Sequence, residues 1–152
     1  MTNFRRQGFQ RNAKIIETLK EWGALDTQQM QLLLFPSSRV AQRRLKVLSE
    51  NGRIQRNTQT LPYFYYVEKP KDPIERIAVN WVKLWMLKNC KSWERITMDY
   101  NTKTCSVLNT VTDKTKVIKI TDGDGFRLPG DNAIIINDEL INKWRGELTC
   151  SK

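Results

Sequence analysis

The stretch Ser37-Ser38-Arg39-Val40-Ala41-Gln42-Arg43-Arg44-Leu45-Lys46-Val47-Leu48-Ser49-Glu50-Asn51-Gly52-Arg53-Ile54-Gln55-Arg56-Asn57 decides the fold. Val40, Ala41, Leu45 and Leu48 recur at helical spacing, which predicts a helix with an inward apolar face. Ser37 or Ser38 caps its start, and Glu50-Asn51-Gly52 supplies a left-handed exit. After Gly52 the period becomes extended over Arg53–Asn57. The polar turn Thr58-Gln59-Thr60-Leu61-Pro62 follows, and Tyr63-Phe64-Tyr65-Tyr66-Val67 returns as a second strand, giving a β-hairpin. A three-helix bundle alone does not predict that aromatic return strand.

Toward the N-terminus, Ile15, Ile16, Leu19 and Trp22 make one apolar face of a first helix over Asn12–Trp22, and Gly23 stops it. Asp26 or Thr27 caps a second, short helix that places Met30, Leu33 and Leu34 on one side and ends at Phe35-Pro36. Helix, helix, helix, hairpin predicts a winged helix-turn-helix over residues 9–71. Arg5, Arg6 and Arg11 precede the apolar period and are expected to form a basic arm that orders on meeting phosphate.

Toward the C-terminus, Asp72-Pro73 opens a linking or dimerisation helix within 72–90. Its stripe of Ile74, Ile77, Ala78, Trp81, Leu84, Trp85 and Leu87 is wider than one contact surface requires. Residues 91–152 read as a small α/β interaction domain with a mostly β core. Strands are expected at Arg95–Tyr100, Cys105–Leu108, Lys116–Ile120 and Ala133–Ile136, with turns at 101–103, 112–114 and 121–125. Asn137-Asp138 caps a last helix through about Arg145. The fold class is α+β.

The 152 residues carry 26 Lys+Arg against 16 Asp+Glu and no His, a net charge of +10. Residues 1–71 hold 13 basic and 5 acidic side chains, a net of +8, whereas residues 72–152 hold 13 and 11, a net of +2. That asymmetry points to a polyanion-binding first half joined to a half with another task. Simple solubility would explain the second value better than the first. Without His, neither Ser-His nor Cys-His catalysis nor a His-ligated metal is possible, so an enzyme is not expected. No cofactor is implied. Cys90, Cys105 and Cys150 are odd in number and widely spaced, and are expected to stay reduced. No apolar run approaches a membrane span and no secretory leader is evident, so a cytoplasmic protein without membrane contact is expected.

Candidate DNA contacts concentrate in the opening stretch. Arg39, Gln42 and Arg43 are expected at base edges, because Arg pairs bidentately with guanine and Gln with adenine in the major groove. Lys46, Ser37 and Ser38 are expected on phosphates, with Arg44 reaching the backbone from the flank. Arg53 and Arg56 on the first wing strand, with Asn57, Thr58 and Gln59 at the tip, suit the minor groove or the backbone. Arg5, Arg6 and Arg11 add the arm. A solvated basic helix face is the bland alternative for the third helix. Of Tyr63, Phe64, Tyr65 and Tyr66, alternate members are expected in the core, and the others could stack on the bases of a single strand.

Two acidic groups suggest metal chemistry only superficially. Asp122-Gly123-Asp124-Gly125 lacks the remaining positions of a calcium loop and reads as a turn. Asp131 precedes the strand Ala133–Ile136, but no second acidic strand follows.

The passages Arg11-Asn12-Ala13-Lys14-Ile15-Ile16 and Ser37–Leu48, with Leu45, Leu48, Asn51, Gly52 and Ile54 and the Tyr-rich return strand, carry a family resemblance. Over roughly residues 9–90 the chain resembles the winged-helix domain of replication-relaxation-like proteins, found in plasmids, phages and integrative elements of Gram-positive bacteria. In that family a degenerate nuclease-like α/β domain often follows. Leu128-Pro129-Gly130-Asp131-Asn132 looks like its Pro-Asp-then-strand element, although Gly130 intervenes and the next acidic strand is missing. The resemblance implies a DNA-binding accessory protein or transcriptional regulator of a mobile element. A homodimer would supply the second half of a binding site. The alternative is a protein-interaction module that turns the same basic face toward an acidic host protein.

Overall fold

A computed structural model describes residues 3–59, 63–122, 133–136 and 138–150, with side-chain surroundings over 10–59, 63–120 and 141–148. The chain is mixed α+β, and it divides into two compact units, Met1–Ile77 and Ala78–Lys152. The first unit runs α1 (Asn3–Trp22), β1 (Ala24–Asp26), α2 (Thr27–Leu34), α3 (Ser38–Glu50), β2 (Gln55–Asn57) and β3 (Phe64–Tyr66). The strands form one antiparallel sheet in the order β1-β3-β2. In the hairpin, Gln55 faces Tyr66, Arg56 faces Tyr65 and Asn57 faces Phe64. A further helix, α4 (Pro73–Asn89), contains the boundary between the units.

Ile15, Leu19 and Trp22 of α1, Met30 of α2, and Ala41, Leu45 and Leu48 of α3 are buried, as their spacing predicts. Complete burial of a Leu or Ile side chain contributes about 1.5–3 kcal/mol, so this shared core is the main support of the unit. Several expectations need correction. Arg5, Arg6 and Arg11 lie within α1, which begins well before Asn12. Arg and Gln, which dominate that segment, are good helix formers even where no apolar period marks a helix. Strand β1 went unforeseen, since three residues are too few to display an alternation, yet Ala24, Leu25 and Asp26 are all buried. Phe64 and Tyr65, neighbours and not alternate residues, are the aromatic pair that is buried. Successive side chains point to opposite faces, so this central strand is covered on both. Val40, Ile74 and Leu87, assigned to apolar faces, are exposed.

Residue 26 settles which side chain caps α2. The Asp26 Oδ1 accepts from the Gln29 N–H at 2.8 Å, and the Gln29 Oε1 accepts from the Asp26 N–H at 2.9 Å. This reciprocal box is buried, and the Gln29 Nε2 also donates to the Ile77 carbonyl at 2.9 Å, tying α2 to the start of α4. Asp72 caps α4 by accepting from the Glu75 N–H at 3.1 Å. Gly23 closes α1, its N–H donating to the Leu19 carbonyl at 2.9 Å with φ +87. A Cβ at this position would lie 3.0 Å from the Arg76 Nε. Gly23→Ala is therefore expected to destabilise the protein by about 1–2 kcal/mol, the cost of a left-handed residue with a side chain, read as a lower urea midpoint at unchanged slope.

The second unit contains β4 (Glu94–Asp99), β5 (Thr104–Asn109), β6 (Lys114–Asp122), β7 (Ala133–Ile136) and α5 (Asp138–Cys150). Strands β4, β5 and β6 form an antiparallel meander, and β7 joins β6 in parallel. Both hairpin turns use one device. The Asp99 Oδ1 accepts from Asn101 and Thr102, the Asn109 Oδ1 accepts from Val111 and Thr112, and each turn closes on a left-handed residue, Lys103 or Asp113. Thr121 and Asp122, read as turn residues, still belong to β6, and α5 continues past Arg145. Ala78–Asn89 of α4 packs with α5 through stacked Trp85 and Trp144, whose centroids are 5.4 Å apart. The Arg145 guanidinium lies 4.7 Å from the centroid of the buried Trp81 ring. The buried Asn80 accepts through Oδ1 from the Tyr100 hydroxyl at 2.5 Å. Among the described residues, no helix is long and apolar enough to cross a membrane.

Candidate nucleic-acid interface

Helix α3 is stopped and oriented by its own ends. Ser37 has extended backbone, and its Oγ accepts from the Val40 N–H at 3.3 Å. The half-buried Ser37 thus serves as the cap, while its hydroxyl proton remains available to a phosphate. Ser38 is exposed in the first turn, where early N–H groups lack intrahelical acceptors and favour an anion. At the other end Gly52 takes φ +74, and the Arg53 N–H donates to the Leu48 carbonyl at 3.0 Å, turning the chain into the hairpin.

Between these ends the helix separates its chemistry cleanly. Ala41, Leu45 and Leu48 are buried, whereas Arg39, Gln42, Arg43 and Lys46 are exposed. Their side chains have no hydrogen-bond or ion-pair partner among the described residues. Three unpaired cations and one amide therefore share the solvent side, and the first acid along it is Glu50, in the last turn. Arg44 is half-buried on the flank. Sequence reasoning missed Val40 and Val47, 40% and 43% exposed, which stand three residues before and four after Arg43 on the same side. Val47 carried a signal, since its spacing from Arg43 matches no core position. The inward spacing assigned to Val40 masked its exposure.

On the hairpin, Arg53 and Arg56 are exposed. The Arg56 guanidinium lies 5.9 Å from the Tyr63 ring centroid. The half-buried Asn57 turns back on the chain, its Oδ1 accepting from the Gln59 N–H at 2.9 Å, so it shapes the turn that displays exposed Thr58 and Gln59. Thr60, Leu61 and Pro62 lie outside the described residues. Arg11 is exposed on α1, and the side chains of Arg5 and Arg6 lie outside those described. The α3 residues thus share one helix side and Arg56 stands with Tyr63, while the three arm residues belong to another element.

Gly123–Asn132, including Asp124 and Asp131, lie outside the described residues. Among those described, no group of three or more His, Cys, Asp or Glu is placed to hold a metal ion. Burial raises the Cys105 thiol above its ordinary pKa despite the opposing charge of Lys83, which keeps it protonated and a poor nucleophile. The Cys90 Sγ donates to the Leu87 carbonyl at 3.3 Å. No family model, curated protein or solved structure matches this chain.

Proposed function

We propose that this protein binds double-stranded DNA sequence-specifically through a winged helix, as a transcriptional regulator or a replication or mobilisation accessory factor of a mobile element. It acts by binding and not by catalysis. The observation that carries this reading is the solvent side of α3, where Arg39, Gln42, Arg43 and Lys46 stand exposed and unpaired among the described residues. Isolated guanidinium and amide groups on a rigid helix match the donor and acceptor pattern of the major groove. The element order and the β1-β3-β2 sheet support the same reading, because a winged helix places its wing directly after the recognition helix. The second unit then serves dimerisation or partner docking, since residues 72–152 carry a net of only +2 against +8 before Asp72.

Selection from a random duplex pool, followed by fluorescence anisotropy on the selected site, tests this. Arg43→Ala is expected to lose about 1–3 kcal/mol of specific binding and to relax base preference, while Lys46→Ala weakens all duplexes alike. Parent-like binding by Arg43→Ala would displace the recognition face. The exposure of Val40 and Val47 on that side favours one second reading, a protein-interaction module facing an acidic host protein. Absence of any shift with random-sequence duplex would select it.

A further inference from the structure

We infer that Tyr63 is a positioning residue that holds the Arg56 guanidinium ready for a backbone phosphate of duplex DNA, an inference that rests on the DNA-binding reading. Arg56 faces Tyr65 across the hairpin, and Tyr63 stands two residues before Tyr65, hence on the same face. The guanidinium lies 5.9 Å from the Tyr63 ring centroid, within cation–π range.

The backbone that carries the ring is anchored. The Tyr63 carbonyl accepts from the Thr27 N–H at 3.2 Å and from the Thr27 Oγ1 at 3.3 Å, which ties this residue to the first turn of α2. Tyr63 is nevertheless 38% exposed, the most exposed aromatic of its run, while Phe64 and Tyr65 fill the core. An exposed Arg on an edge strand ordinarily samples many rotamers, and binding a phosphate then costs the entropy of choosing one. A ring carried on a fixed backbone within cation–π range narrows that choice beforehand. A cation–π contact uses no N–H donor, so the exposed guanidinium keeps its fork of donors for a phosphate.

The experiment is a double-mutant cycle by fluorescence anisotropy on the selected duplex, with melting temperatures recorded for every variant. Tyr63→Leu is expected to weaken binding by about two- to fivefold, the range for an exposed cation–π contact, and Tyr63→Phe to bind as the parent does. Arg56→Ala should lower the salt slope by about 1, and adding Tyr63→Leu to it should cost nothing more. Parent-like binding by Tyr63→Leu, losses that add in the double variant, or losses that follow melting temperature alone would overturn the role of Tyr63 while leaving DNA binding intact. A parent protein that binds no duplex would overturn both.

Discussion

Raising the salt concentration from about 50 to 200 mM is expected to weaken binding of the protein to duplex DNA by about a thousandfold. Each phosphate neutralised by a Lys or Arg releases condensed counterions, and the logarithm of affinity falls with the logarithm of salt at about −0.9 per contact. The cations assigned to the backbone, Lys46 and the flanking Arg44 of α3, Arg53 and Arg56 of the hairpin, and Arg5, Arg6 and Arg11 of α1, give about six contacts and a slope of about −5. A fourfold rise in salt then removes about three decades of affinity. The expectation concerns the first unit, because residues 72–152 carry 13 basic and 11 acidic side chains and offer little net attraction. Anisotropy titrations across that range read the slope directly. A flat response would sink the DNA-binding reading, since any grip on phosphates must release counterions.

The core of the first unit was legible because it is periodic. Leu45 and Leu48 repeat with Ala41 at helical spacing, and the change of period after Gly52 marks the hairpin without any tertiary information. Strand β1 was not legible, because its burial depends on pairing with β3, a partner 40 residues away: Leu25 faces Tyr65. The same pairing makes β3 a central strand, which is why Phe64 and Tyr65 are both buried where one-sided alternation would bury only one. The arm illustrates the converse failure. The apolar period marks α1 only from Asn12 onward, whereas the helix begins at Asn3. At the candidate site, residue type and spacing sufficed to put Arg39, Gln42, Arg43 and Lys46 on one side. Which ring stands beside Arg56 depended on hairpin register, and Tyr63 could not be singled out from four consecutive aromatics.

Gln29→Leu is expected to destabilise the protein by about 2–4 kcal/mol. Gln29 is fully buried and its amide serves two partners in opposite directions. The Oε1 accepts from the Asp26 N–H, and the Nε2 donates to the Ile77 carbonyl. Leucine of similar volume leaves no cavity, so the cost is that of the lost hydrogen bonds. The Asp26 N–H becomes a buried donor without its acceptor, costing about 1–3 kcal/mol, and the Ile77 carbonyl loses its second donor, a smaller term. Gln29→Glu keeps the acceptor and removes the donor. Its carboxylate still accepts from Asp26 N–H but cannot donate to Ile77, and it adds a buried negative charge beside Asp26, so it should destabilise at least as much as leucine. Urea denaturation at neutral pH reads both, and lowering the pH should recover part of the glutamate variant's loss as its carboxyl protonates. If Gln29→Leu melts with the parent midpoint, the box at Asp26 does not support the β1–α2 corner. The position of α3, three residues beyond α2, would then rest on the burial of Met30, Ala41, Leu45 and Leu48.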